Sequence, residues 1–156
     1  MMSTMDDRAE VYRRHAEELT RYATALVGPT DAPDVVIDGV MAAFASPGWA
    51  AVANQRAYLY RAVLNRALGE RRSAGRRGRR EALAARPEAT ADTPSSVDAQ
   101  RALRVLSPQQ RAVVYLTYWD DLTPAQVADL LGVGEGTVRK QLARAREQLR
   151  KVLDDH

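Results

Sequence analysis

The sequence predicts an all-α fold: two small helical domains joined by a flexible linker, the second a helix-turn-helix. Three observations lead there. Apolar residues recur at steps of three and four along both halves of the chain. Gly28-Pro29, Ser46-Pro47-Gly48 and Gly132 interrupt those stripes where helices should end, and residues 81 to 97 lose the apolar period altogether.

In the first segment Tyr12, Ala16, Leu19, Ala23 and Leu26 form one helical stripe. The predicted helix covers roughly 8 to 27 and stops at Gly28-Pro29. Asp31 is placed to cap a second helix in which Val36, Val40, Met41 and Phe44 share a face, ended by Ser46-Pro47-Gly48. Asn54 is placed to cap a third, whose stripe is Tyr60, Val63, Leu64, Ala67 and Leu68, with arginines trailing behind.

From Glu81 to Val97 the composition turns to Ala, Pro, Thr and Ser, which reads as a linker between a domain at 1–80 and one at 98–156. Such a segment spans at most about 56 Å when extended and about 23 Å as a coil, so the halves should be able to separate. A short helix through Arg101 and Leu106 restarts the pattern. Ser107-Pro108-Gln109-Gln110 then combines an N-cap, a proline at the first helical position and a glutamine two residues later, and Thr123-Pro124-Ala125-Gln126 repeats the device. Val127, Ala128, Leu130 and Leu131 give the Thr123 helix its apolar face, Gly132 its left-handed end, and Val133 an apolar plug for the turn. A last helix begins near Glu135 on the stripe Val138, Leu142, Ala145, Leu149 and Val152. Tyr115 and Trp119 are expected in the core of this half.

Composition removes whole classes of function. With 156 residues a large enzyme scaffold is excluded, and with no cysteine so are disulfide frameworks, thiolate metal sites and cysteine nucleophiles. His15 and His156 are the only imidazoles. No nucleophile–base pair or phosphate-cradling glycine loop is visible, so no catalytic residue, metal or cofactor is expected. The first thirty residues carry five carboxylates and no apolar core, the pattern of neither a signal peptide nor a membrane span, which points to the cytoplasm.

The net charge of +3 conceals a strong polarity. Residues 1 to 55 sum to −4, whereas residues 56 to 80 hold nine arginines against Glu70 alone. A second basic block, Arg139, Lys140, Arg144, Arg146, Arg150 and Lys151, faces only Glu147. Guanidinium forks match phosphate oxygens, so two such surfaces in a chain with 21 Arg and 2 Lys point to a polyanion. The ordinary alternative is a solvated helix face.

In a helix-turn-helix the first helix braces the second, whose N-terminal part enters the DNA major groove. Opposite Val138 on the last helix lie Gly136, Lys140, Ala143 and Glu147, flanked by Arg139 and Arg144. Residues 135 to 140 are thereby placed at base edges, and Arg144, Arg146, Arg150 and Lys151 at phosphates or another protein.

The runs 106–114, 118–128 and 132–139, which contain Leu106-Ser107-Pro108-Gln109-Gln110-Arg111, Leu122-Thr123-Pro124-Ala125-Gln126 and Gly136-Thr137-Val138-Arg139, resemble region 4 of bacterial sigma factors, most nearly the short extracytoplasmic-function class. The resemblance implies that Glu135, Thr137, Arg139, Lys140 and Arg144 address the −35 promoter element. Gly134 stands where the family often has a serine cap. Asp31-Ala32-Pro33-Asp34-Val35-Val36-Ile37-Asp38 followed by Phe44 is similar to the family's region 2, with Pro33, Ile37 and Ala42 where Glu, Gln and Arg are common. It implies that this helix docks on the largest subunit of core RNA polymerase through Asp34 and Asp38. The plain alternative is that Asp31 and Asp34 cap the helix and favour its dipole.

Tyr58 and Asn65 are seven residues apart and so project from one helix face, where a ring and an amide suit the stacking and edge bonding of an unstacked base. Tyr58 at helical spacing equally suits a core position. The run from Tyr58 to Asn65 resembles the family pattern that recognises and melts the −10 element, which implies Tyr58, Arg61, Asn65 and Arg66 as the −10 set.

The function so implied is a promoter-specificity factor that binds core RNA polymerase, recognises both elements of promoter DNA and aids melting. It would be a monomer when free, with no membrane insertion and with an anti-sigma factor as a further partner that the family admits. Two other readings compete: a stand-alone helix-turn-helix regulator, dimeric on palindromic sites, and an adaptor that binds polymerase without reading DNA.

Overall fold

The computed structural model describes residues 4–81 and 102–154. Among the described residues the fold is carried by α1 (Thr4–Val27), α2 (Ala32–Ala45), α3 (Gln55–Glu81), α4 (Pro108–Tyr118), α5 (Pro124–Leu131) and α6 (Glu135–Asp154), with a 3-10 turn at Trp49–Ala51 between α2 and α3, and residues 102–104 are also helical. No strand occurs among the described residues. The expected linker lies outside them apart from Glu81, which ends α3; Arg101 and the side chains of Arg71 to Arg80 also lie outside.

Local chemistry sets most boundaries as expected. The Asn54 carboxamide oxygen accepts from the Ala57 amide at 3.0 Å and so caps α3. Ser107 and Thr123 each form a complete capping box, with Gln110 and Gln126 answering from the third helical position. Gly132 ends α5 in the left-handed region at φ 70°, and both its amide and that of Val133 are accepted by the Ala128 carbonyl. Asp31 differs. It stands at the N-cap of α2, but its backbone is already helical and its side chain makes no capping bond.

In the first half α1, α2 and α3 pack around Leu19, Leu26, Val36, Val40, Leu59 and Val63, all buried. Gly39 lets α2 and α3 approach closely, since a methyl group there would stand 3.1 Å from the Val63 Cα. Met41 does not join this face; at 62% exposure it lies a turn-fraction away from the stripe centred on Val36, Val40 and Ala43. In the second half Val127, Leu130, Val138, Leu142 and Ala145 form the core between the paired helices and α4. Nor does Trp119 join the core expected for it: it caps the C-terminal end of α4, is 57% exposed, and stacks on Tyr115 from outside at 6.0 Å between centroids.

The described halves are packed against each other, which the apolar stripes do not announce. Tyr22 of α1, buried completely, meets Tyr60 of α3 at 4.6 Å and Tyr115 of α4 at 6.1 Å between ring centroids. Beside the rings Glu18 gathers three donors: His15 Nδ1 at 2.6 Å, Arg56 Nε at 3.1 Å and the Tyr60 hydroxyl at 3.2 Å. Two arginines complete the seam. Arg61 of α3 donates to the carbonyls of Asp129 and Leu130 at 2.8 and 3.3 Å, and Arg111 of α4 donates to that of Leu26 at 2.6 Å.

Candidate nucleic-acid interface

The α2–α3 surface holds a groove of about 520 Å³. Its α3 side is formed by Tyr58, Arg61, Ala62, Asn65 and Arg66, and its α2 side by Gly39, Ala42 and Ala43. All four residues expected at the −10 element therefore meet in one concavity. They do so because positions 58, 61, 62, 65 and 66 follow the three- and four-residue steps of a helix face, beside the stripe of Leu59 and Val63 that packs on α2 and opposite the buried Tyr60 and Ala67.

Tyr58 stands between its two readings. Its hydroxyl donates to the Ser46 Oγ at 2.6 Å and its ring lies in a T-shaped contact with Trp49 at 5.7 Å between centroids, so one side is packed while another lines the groove. Trp49 in turn lies edge-on to Phe44 at 4.9 Å. This aromatic row fixes the ring's orientation, and a ring already held loses little freedom on stacking against a ligand. Nothing in the sequence singles out Ser46 and Trp49 as its supports. Ser46-Pro47-Gly48 reads as a stop signal, and only folding returns it to α3.

Asn65, Arg61 and Arg66 are exposed at the groove. Arg66 also pairs with Asp38 on α2 at 3.1 Å, which joins a residue expected at DNA to one expected at polymerase. Asp34 is exposed on α2, near the exposed Ile37 and Met41.

The second surface is α6. Glu135, Thr137, Arg139, Lys140 and Arg144 are all exposed, while Val138 and Ala145 are sealed against the core. Arg139 is held by Glu135 one turn earlier at 2.6 Å. Gly134 accepts the Val138 amide through its carbonyl, so α6 begins regularly without a side-chain cap. Arg146 lies apart from this face, donating to the Tyr118 hydroxyl at 2.8 Å. No cluster of metal-ligating side chains occurs among the described residues, and no described helix is long and apolar enough to cross a membrane.

Comparison with known proteins decides which family these surfaces belong to. Residues 96–149 match the family model for Sigma-70, region 4. Over nearly the whole chain it is 32% identical to the RNA polymerase sigma-E factor of Streptomyces avermitilis, covering 93% of this chain and 84% of that protein. It is 33% identical to the extracytoplasmic-function RNA polymerase sigma factor SigL of Mycobacterium tuberculosis, covering 93% and 88%. The chain belongs to the extracytoplasmic-function RNA polymerase sigma factors. Its fold is that of a sigma factor from Bartonella quintana solved with the anti-sigma factor NepR, with a TM-score of 0.69 over 95% of this chain and 97% of that one at 24% identity. A second solved structure, CnrH with the cytosolic domain of CnrY, aligns at a TM-score of 0.62 and 25% identity, covering 95% of this chain and 88% of that one.

The chain is a promoter-specificity sigma factor, and its likeness to the family runs through both of its halves. A stand-alone helix-turn-helix regulator would account for residues 96–149 and leave α1 to α3 unexplained, although the likeness to SigL and to the sigma-E factor extends through them.

Proposed function

We propose that this sigma factor binds core RNA polymerase through the exposed face of α2, with Asp34 and Asp38 in the polar contact, and reads promoter DNA at two separate surfaces. The −10 strand enters the α2–α3 groove. There Tyr58 stacks an unpaired base, Asn65 bonds its edge, and Arg61 and Arg66 neutralise the backbone. The −35 duplex receives α6, with Glu135, Thr137, Arg139 and Lys140 at base edges and Arg144 on phosphate. The observation that carries this reading is the gathering of Tyr58, Arg61, Asn65 and Arg66 around one groove of suitable size for a nucleobase.

The chain then supplies selection and strand capture while polymerase supplies catalysis, and it acts in the cytoplasm as a monomer when free. An anti-sigma protein is a further partner by analogy with the factors solved alongside NepR and CnrY. Gel filtration with core polymerase and promoter duplexes tests the assignment. The chain is expected to elute alone as a monomer and to join polymerase and DNA in one complex; a dimer bound to palindromic duplex without polymerase would contradict it.

A further inference from the structure

The two arginines of the seam use the same chemistry in opposite directions. The last carbonyls of an α-helix lack amide partners and carry the negative end of its dipole. In α5 the Ala128 carbonyl is satisfied by Gly132 and Val133, whereas those of Asp129 and Leu130 receive Arg61 from the first half. In α1 the Leu26 carbonyl receives Arg111 from the second half, and the same guanidinium also holds the carbonyls of Leu103 and Arg104 at 2.6 and 3.1 Å. Each half thus caps a helix end of the other.

Gly132 is fitted to this junction twice over. Its φ of 70° excludes most side chains, and a Cβ there would stand 2.7 Å from the Arg61 Nε. The helix-turn-helix corner lies flush against an arginine that also lines the α2–α3 groove.

We propose that Arg61 and Arg111 form a reciprocal clasp that holds the halves closed, and that nucleic-acid phosphate opens it by competing with the α5 carbonyls for Arg61. A phosphate oxygen carries a full charge where a helix C-terminus carries about half of one, so the guanidinium has a stronger acceptor available when a strand enters the groove. This rests on the groove reading given above. The clasp would make the groove and the promoter-reading half mutually responsive, because the cation that receives DNA is the one that retains α5.

The absence of native cysteine allows a direct test in the full chain. Arg14→Cys on α1 and Gln148→Cys on α6, both exposed positions, carry nitroxide labels for pulsed electron resonance. The free protein should give one narrow distance distribution, and Arg61→Gln and Arg111→Gln should each broaden and lengthen it. Circular dichroism verifies that helicity is retained, and Arg61→Lys, which keeps the charge but not the fork, should fall between. Unchanged distributions in both glutamine variants would overturn the clasp, as would a wild-type distribution that is already broad. Adding a short single-stranded oligonucleotide should lengthen the wild-type distance, less so at high salt, and Arg111→Gln should bind it severalfold more tightly because its groove is already released. Binding with no change in distance would overturn the competition. An oligonucleotide that binds no variant would count against the groove reading, while the free-chain distances would still decide the clasp.

Discussion

The Arg66 guanidinium lies 3.1 Å from the Asp38 carboxylate, bridging α3 to α2 at a point where about half of each side chain remains exposed. A pair so hydrated contributes at most about 1 kcal/mol. Asp38→Ala should therefore leave thermal stability almost unchanged and weaken association with core polymerase, as measured by surface plasmon resonance. A large drop in melting temperature with unaltered association would make the pair structural instead.

Gly39 gives a prediction of the opposite kind. A methyl group there would press on the Val63 backbone at 3.1 Å, and backbone in the middle of a helix yields little. Gly39→Ala should cost roughly 1 to 3 kcal/mol in chemical denaturation, despite the better helix propensity of alanine.

For Tyr58, stacking a base is worth about 1 to 3 kcal/mol, so Tyr58→Ala should reduce promoter opening roughly five- to hundred-fold. Tyr58→Phe removes only the hydroxyl bond to Ser46 and should retain most opening. Permanganate footprinting with core polymerase reads both. Normal opening by Tyr58→Ala would leave the ring a purely structural prop for Trp49.

Acid sensitivity should centre on Glu18. Burial pushes its carboxyl up, but His15, the Arg56 guanidinium and the Tyr60 hydroxyl outweigh burial and hold it below the ordinary value. A carboxyl depressed in the folded state stabilises the fold above its unfolded pKa, and that contribution is lost as pH falls through the folded value. Glu18→Gln should lower stability at neutral pH and flatten its decline in acid. Asp120, on the other half, is raised mainly by burial, so Asp120→Asn should act in the opposite direction. Melting curves across the acid range separate the two.

The helices and their ends are legible in the sequence because caps and stripes are local: Asn54, Ser107, Thr123 and Gly132 act within a few residues of themselves. The groove is legible as a face of α3, since Tyr58, Arg61, Asn65 and Arg66 share a helical period, but its α2 wall and the support from Ser46 and Trp49 depend on folding. The seam is not legible. Tyr60 reads as the core of its own helix and Arg61 as a phosphate ligand, and nothing in the spacing indicates that they meet Tyr22 and α5 across a linker. Attraction between the acidic start and the basic end of the chain is the force that charge distribution suggests, whereas the direct hydrogen bonds come from Arg61 and Arg111. Trp119 stays out of the core although its backbone is still helical: at the C-cap of α4, one turn beyond the half-buried Tyr115, it stacks on that ring from outside.

Arg139 and Lys140 test the −35 assignment separately. Both are exposed beside the sealed Val138, so replacing them with alanine should preserve helicity and weaken binding by roughly 1 to 3 kcal/mol for each base edge no longer read. Holoenzyme binding to a −35-dependent promoter, measured beside circular dichroism, gives the answer; unchanged binding would remove them from the site.

Run-off transcription with core RNA polymerase and a pool of genomic upstream fragments bears most directly on promoter selection by both halves. The chain is expected to direct transcripts from defined start sites, greatly reduced by Tyr58→Ala and, at −35-dependent promoters, by the Arg139 and Lys140 replacements. Absence of any directed transcript, with the chain alone binding palindromic duplex as a dimer, would contradict it.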